Sequence, residues 1–277
     1  MNTKENTKSF EEEQRRIKET VSGIKHRIAV FSGKGGVGKT TVSINLAFTL
    51  KSGGFSAGIL DADITGPNVS KMMNVYGDLI YLDEKIIPFE KHGVKMISMA
   101  SILKKGQPLI WRGPVRSKII NQFLADVEWG MLDYLIADLP PGTGDEILTI
   151  SQEMKPDFAV IVTTPQEVSV IDAERAINMA KELGIPRIGV VENMSGFVCP
   201  HCSAELDIFG FGGGRKLADE NNVHFLGSIP IDIQARVSGD CGEPIVVEKP
   251  LNGVTTAFAG ISGRIKSLYA ENNNKSL

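Results

Sequence analysis

Arg27-Ile28-Ala29-Val30-Phe31 runs through Ser32 into Gly33-Lys34-Gly35-Gly36-Val37-Gly38-Lys39-Thr40-Thr41, and this junction decides the fold. The apolar run predicts a buried strand that stops at a glycine-rich turn. From Thr40 to Leu50, apolar residues at Val42, Ile44, Leu46, Ala47 and Leu50 predict a helix. A strand, a turn and a helix in that order are the first half of a βαβ unit. Gly33 to Thr40 also matches G-x-x-x-x-G-K-[ST] between the two elements that pattern requires. Its glycines let successive backbone N–H groups point at phosphate oxygens, and the following helix turns its positive end toward the same anion. Gly33 through Thr41 are therefore the nucleotide-binding candidates. Lys39 is expected on the β and γ phosphates, and the Thr40 hydroxyl on Mg²⁺. Lys34 is a second lysine that an ordinary phosphate loop does not need. Its ammonium either screens the charge that develops on the leaving γ-phosphoryl group or simply faces solvent.

Outward from this junction, strands and helices alternate. Lys51-Ser52-Gly53-Gly54 ends the first helix, and Ala57 to Leu60 forms a strand closing at Asp61. Thr65 to Gly113 is less regular, with a small strand around Gly93 to Met99. Arg116 to Trp129 reads as an amphipathic helix carrying Ile119, Ile120, Phe123, Leu124 and Val127 on one side. Strands follow at Tyr134–Ala137, Phe158–Val162, Ile188–Val191 and Val223–Leu226, with helices over Val168–Leu183, Arg215–Glu220 and Pro250–Ala270. Such alternation predicts an α/β fold, a doubly wound and mostly parallel sheet flanked by helices. Residues 26–270 read as one domain, with an excursion near 194–214. Residues 1–25 read as a polar appendage with a short surface helix, and 271–277 as a fraying tail.

Composition narrows the function class. The 30 basic and 33 acidic residues leave a net charge of -3, which gives no basis for a nucleic-acid groove. No apolar run is long enough to span a membrane, and the charged MNTKENTKSFEEEQRR start does not resemble a signal peptide. A cytoplasmic protein is expected. Cys199, Cys202 and Cys241 are too few for a disulfide framework, which fits a reducing compartment.

Carboxylates follow the strands, where open parallel sheets bind their ligands. Asp61 and Asp63 can divide the work of orienting an attacking water and supporting a metal site, or can be a polar turn. Asp138 ends the strand YLIA, in position to bind Mg²⁺ through water. The loop LPPGTGDE after it joins two stiff prolines to two glycines, suited either to sensing a γ-phosphate or to a rigid connection. Asn193 follows another core strand, and its amide can pair with adenine or cap local backbone.

Cys199-Pro200-His201-Cys202 sets two soft ligands two residues apart. Two thiolates do not complete a four-ligand site, but a two-fold axis beside them would supply two more, suited to a [4Fe-4S] cluster or to Zn²⁺. A structural zinc knuckle, a redox pair and an inert pair are the other readings. His201 reads as lying outside the ligand set, and Cys241 as an incidental or structural thiol.

The run FSGKGGVGKTT resembles the deviant Walker A motif of the ATPases related to MinD and ParA. That resemblance implies a homodimer in which Lys34 reaches across to the partner's nucleotide. It also assigns Asp63 to positioning water and Asp61 to the Mg²⁺ site or its support. Further blocks bring the chain close to the Mrp (ApbC-like) ATPases. They are DADITGPNV at 61–69, WRGPV at 111–115, LDYLIADLPPGTGDE at 132–146, TTPQEVSVIDAERA at 163–176 and VENMSGFVCPHC at 191–202, with PIDIQ and GEPIV downstream. This family implies an ATPase that carries an iron-sulfur cluster to apo-proteins, with ATP, Mg²⁺ and the cluster at Cys199 and Cys202, and with neither a nucleic-acid nor a membrane partner. The region around Asp61 departs modestly from the family pattern, and residues 1–25 contain no cysteine. The competing reading is a MinD/ParA-like positioning or regulatory ATPase with zinc at the cysteine pair.

Overall fold

The computed structural model describes residues 3–63, 66, 68–102, 113–142 and 144–273. Trp111 and Arg112 of the WRGPV block, Thr143 of the proline-rich loop and the 274–277 part of the expected tail lie outside them.

Eleven strands are present among the described residues: β1 (Ile24–Phe31), β2 (Ala57–Asp61), β3 (Ile80–Leu82), β4 (Lys85–Ile87), β5 (Phe89–Lys91), β6 (Val94–Ser98), β7 (Leu132–Asp138), β8 (Phe158–Thr163), β9 (Ile188–Val198), β10 (Glu205–Leu206) and β11 (His224–Ile231). The helices are α1 (Thr3–Ser22), α2 (Lys39–Ser52), α3 (Val69–Met72), α4 (Gly113–Asp126), α5 (Asp145–Thr149), α6 (Glu167–Glu182), α7 (Gly213–Glu220), α8 (Ile233–Cys241), α9 (Ile245–Glu248) and α10 (Gly253–Asn273). The main sheet runs β10-β9-β8-β1-β7-β2-β6-β5, and β11 also pairs with β9. All its long strands are parallel, while the short β5 and β10 join antiparallel.

Strand alternation splits the core into two layers. In β1, Ala29 and Phe31 face the layer built with α4 and α6, while Ile28 and Val30 face the layer built with α2 and α10. A sheet buried on both sides explains why its strands are continuous apolar runs. Because the strands are parallel, their C-terminal ends gather on one edge, and that edge receives the phosphate loop, Asp61 and Asp138.

Within the stretch read as a polar appendage, the C-terminal half of α1 packs on the domain. Ile17 and Val21 of α1 are buried in the layer with α4, and Ile24 already belongs to β1. Their apolar stripe is only two residues wide within a polar helix, which makes docking hard to read locally. At the other end, α10 continues through Asn273, three residues past the expected boundary.

The largest difference from expectation is β9. It continues seven residues beyond Val191 and turns back through β10, so the cysteine pair occupies the turn of a hairpin. The irregular 65–113 region resolves into the β3–β4 hairpin and the β5–β6 pair, and α5, α8 and α9 are additional. These elements are three to nine residues long, too short for periodicity to reveal.

Candidate active site and cysteine hairpin

The phosphate loop is shaped by two glycines in particular. Gly38 has φ of 85° at the N-cap of α2, a left-handed conformation that a side chain disfavours. Gly33 touches the backbone of Asp172 in α6 so closely that any Cβ there would collide with it. The loop is thus pinned between the start of α2 and the flank of α6.

Asp138 is the hub beneath it. This carboxylate is fully buried and accepts from Lys39 Nζ at 2.9 Å, Thr40 Oγ1 at 2.7 Å and Ser43 Oγ at 2.7 Å. Ser43 follows Lys39 by one helical turn on the same face of α2, so its role is legible only once the helix is placed. Register sets Asp61 directly beside Asp138 on the adjacent strand. Asp61 accepts from Ser98 Oγ at 2.8 Å and from the Asp63 N–H at 3.2 Å. Asp63 itself accepts from the Gly66 N–H at 3.1 Å and lines the cavity beside the loop. These oxygen donors suit Mg²⁺. Among the described residues no group of three or more His, Cys, Asp or Glu side chains is arranged to hold a metal ion.

Burial, reinforced by the Asp138 carboxylate, pushes the Asp61 carboxyl up to about 8. The folded protein therefore keeps a proton that the unfolded chain releases near the ordinary carboxylate value. The associated stability is fully present below that ordinary value, declines as pH rises, and is lost above about 8. Asp61→Asn holds the site neutral, so urea unfolding without nucleotide or Mg²⁺ should show the variant gaining on the parent between pH 5 and pH 9. Parallel pH profiles would remove the assignment.

The cavity over the loop is about 470 Å³ and includes Lys34, Gly35, Gly36, Val37, Lys39 and Thr40. Thr41 lines it too. Its far wall comes from elements absent from the sequence reading: Asn68 and Lys71 beside and within α3, and Arg236 and Asp240 of α8, which pair at 2.6 Å. No short motif marks α8. Its signal is the N-cap Asp232 of the PIDIQ block, which accepts from the Ala235 N–H at 2.9 Å.

Asn193 is buried, and its Nδ2 donates to the Val37 carbonyl at 2.8 Å. Here the amide braces the phosphate loop across a long sequence separation, a contact that is neither the adenine pairing nor the cap on local backbone.

Cys199 and Cys202 sit in the β9–β10 turn, closed by Cys199 N–H to the Ala204 carbonyl at 2.9 Å and Ser203 N–H to the Cys199 carbonyl at 2.8 Å. The backbone of His201 and Cys202, with the Cys202 thiol, stabilises the Cys199 thiolate and holds its pKa below the usual thiol value. Cys202 is exposed and Cys199 partly so. Exposed apolar side chains include Val198 and Leu206 on the hairpin, Ile208 and Phe211 after it, and Val168 and Ile171 on α6. Gly210 and Gly213 lie against Pro165, which brings this segment to the start of α6. The same helix supports Gly33, so phosphate loop and cysteine hairpin share a neighbour. Cys241 is elsewhere, exposed at the end of α8.

Comparison with known proteins agrees with this geometry. A family model described as NUBPL iron-transfer P-loop NTPase matches residues 23–266. An iron-sulfur cluster carrier protein of Methanocaldococcus jannaschii is 53% identical, with 87% of this chain and 84% of that protein aligned. One from Pyrococcus horikoshii is 50% identical, over 84% of this chain and 83% of its own. A solved nucleotide-binding protein from Archaeoglobus fulgidus, in complex with ADP, superposes with a TM-score of 0.76 at 39% identity, covering 87% of this chain and 95% of that one. The cell division ATPase MinD of Pyrococcus furiosus shares the fold, with a TM-score of 0.67 at 21% identity over 88% of this chain and 99% of its own.

Proposed function

This chain belongs to the NUBPL-type iron-transfer P-loop NTPase family, and on that premise we propose that it hydrolyses ATP and carries a [4Fe-4S] cluster, held between two copies of itself, to apo iron-sulfur proteins. The observation that carries this reading is the half-site at the hairpin tip. Cys199 and Cys202 are accessible, one of them biased toward thiolate, yet among the described residues one chain brings no third ligand to them. A four-thiolate site then requires a second chain. The exposed Val198 and Leu206 beside the cysteines on the hairpin are apolar surface that such a partner would cover.

The nucleotide chemistry follows from the hub. Thr40 and Asp138 would hold Mg²⁺, with Asp61 in support, and that ion when bound neutralises charge on the phosphoryl oxygens. Asp138 fixes one of the three Lys39 ammonium donors, leaving the others for phosphate. Asp63, at the cavity edge, orients the attacking water.

Lys34 lines the same cavity and provides the contact across the dimer. Lys34→Ala should lower turnover by about 10²-fold, the cost of one transition-state donor, and weaken ATP-dependent dimerisation while changing ATP affinity much less. Equal dimerisation and turnover in variant and parent would remove the cross-interface role.

The proposal is tested by anaerobic reconstitution with iron and sulfide, followed by native mass measurement. About four iron and four sulfide per two chains, with a shift from monomer to dimer, supports it. A cluster held by a monomer, or zinc alone under anaerobic conditions, contradicts it.

A further inference from the structure

Two consecutive residues in the middle of β9 reach opposite ways, one toward each site. Side chains alternate across a strand, so Glu192 and Asn193 point to opposite faces of the sheet. Glu192 is fully buried. Its Oε1 accepts from Ser195 Oγ at 2.5 Å and the Gly212 N–H at 2.9 Å, and its Oε2 accepts from the Gly214 N–H at 2.5 Å. Gly212 caps α7, so the carboxylate also meets the positive end of that helix. Ser195 and Gly212 are the two roots of the segment that carries the cysteines, and one carboxylate staples both.

Asn193 holds the Val37 carbonyl on the other side, and its amide fills the space where a Cβ on Gly38 would stand. Met194 follows with φ of 58° and Gly196 with φ of 74°. A left-handed methionine is costly backbone geometry that persists only where its surroundings enforce it. Phosphate loop, mid-β9 and hairpin root are thus joined by direct hydrogen bonds from two neighbouring side chains.

We infer that Glu192 and Asn193 are positioning residues that couple the two sites, so that nucleotide in the phosphate loop shifts the anchoring of residues 195–212 and the reactivity of the Cys199 and Cys202 thiols. Movement of the Val37 carbonyl as the loop closes on phosphate pulls on Asn193, and the middle of β9 passes the displacement through Glu192 to both roots. For equilibrium binding the coupling is reciprocal: a ligand of the two thiols whose affinity nucleotide changes will change nucleotide affinity by the same factor. This rests on the carrier reading only in taking the two cysteines as the cargo ligands.

The test uses the full-length, metal-free protein. Alkylation of Cys199 and Cys202 by iodoacetamide is followed by peptide-resolved mass spectrometry, with and without saturating Mg²⁺ and a non-hydrolysable ATP analogue. The parent should change rate by about fivefold or more, the size of a typical coupling. Asn193→Ala and Glu192→Gln should each reduce that ratio below about twofold. Should Glu192→Gln fail to fold, Ser195→Ala removes one donor from the same carboxylate and should lower the ratio as well. A nucleotide-insensitive parent, or a full response in the Asn193 and Glu192-side variants, overturns the inference. Failure of cluster loading in the parent would sink the carrier reading while leaving this result untouched, because the alkylation assay contains no iron.

Discussion

Cys199→Ala and Cys202→Ala should each abolish stable cluster loading while ATP binding persists. In the proposed two-fold dimer, every substitution removes two of the four thiolates. Loss of even an outer hydrogen-bond partner of a metal ligand costs about 10–100-fold in affinity, so iron retained after desalting should fall by more than that range. Neither cysteine touches the core, and the turn that holds them is closed by backbone hydrogen bonds that alanine keeps. Folding and nucleotide binding should therefore survive. Cys241→Ala is the matched control: it lies at the end of α8, apart from the hairpin, and should load like the parent. Iron and sulfide per dimer, measured with ATP binding on the same preparations, decide the matter. Full loading in either hairpin variant would remove the pair from the site.

Lys39→Ala should lower ATP turnover by about 10³-fold or more, because a cation aimed at the transferring phosphoryl group acts where charge develops. Its folding consequence is specific. Lys39 is almost fully buried against Asp138, so the variant leaves that carboxylate with only the Thr40 and Ser43 hydroxyls. An incompletely satisfied buried acceptor costs about 1–3 kcal/mol. Circular dichroism should thus show nearly parental helix content together with a lower melting temperature. Parental turnover would overturn the role of Lys39. Parental stability with lost turnover would instead show that Asp138 is solvated and not locked in its pair.

Much of this architecture was legible because the strands that bear function are also the ones buried on both faces. β8, β2 up to Leu60, and the later halves of β1 (Ile28–Phe31) and β7 (Tyr134–Ala137) are continuous apolar runs, and β1, β2 and β7 each end at a residue or loop that the chemistry uses. Residues 61 and 138 announced themselves as carboxylates at strand ends. What sequence could not supply was their pairing: only sheet order makes β2 and β7 neighbours, puts Asp61 beside Asp138 and raises its carboxyl. Ser43 and Ser98 were hidden for the same reason, since a serine acquires meaning from the buried carboxylate it faces. Glu192 looked like an ordinary charged residue after a strand, and its burial depends on backbone N–H groups twenty residues later. Asn193 was visible as a site residue, yet both of its readings were local guesses until Val37 stood opposite it. The docking of α1 escaped because Ile17 and Val21 are a narrow stripe in a polar helix whose partner, α4, lies about a hundred residues away in sequence.

The central claim, that nucleotide chemistry governs a transferable cluster, is tested most directly by transfer itself. Reconstituted parent protein is mixed anaerobically with an apo [4Fe-4S] enzyme whose activity reports cluster arrival, with Mg²⁺ and either ATP, a non-hydrolysable analogue or no nucleotide. The account predicts that the acceptor becomes active at the expense of the donor's iron, at a rate that differs between ATP and the analogue. It also predicts that the Lys39→Ala donor transfers at one rate whichever nucleotide is present. Equal transfer under all three conditions by the parent, or an acceptor that stays inactive beside a fully loaded donor, would contradict it.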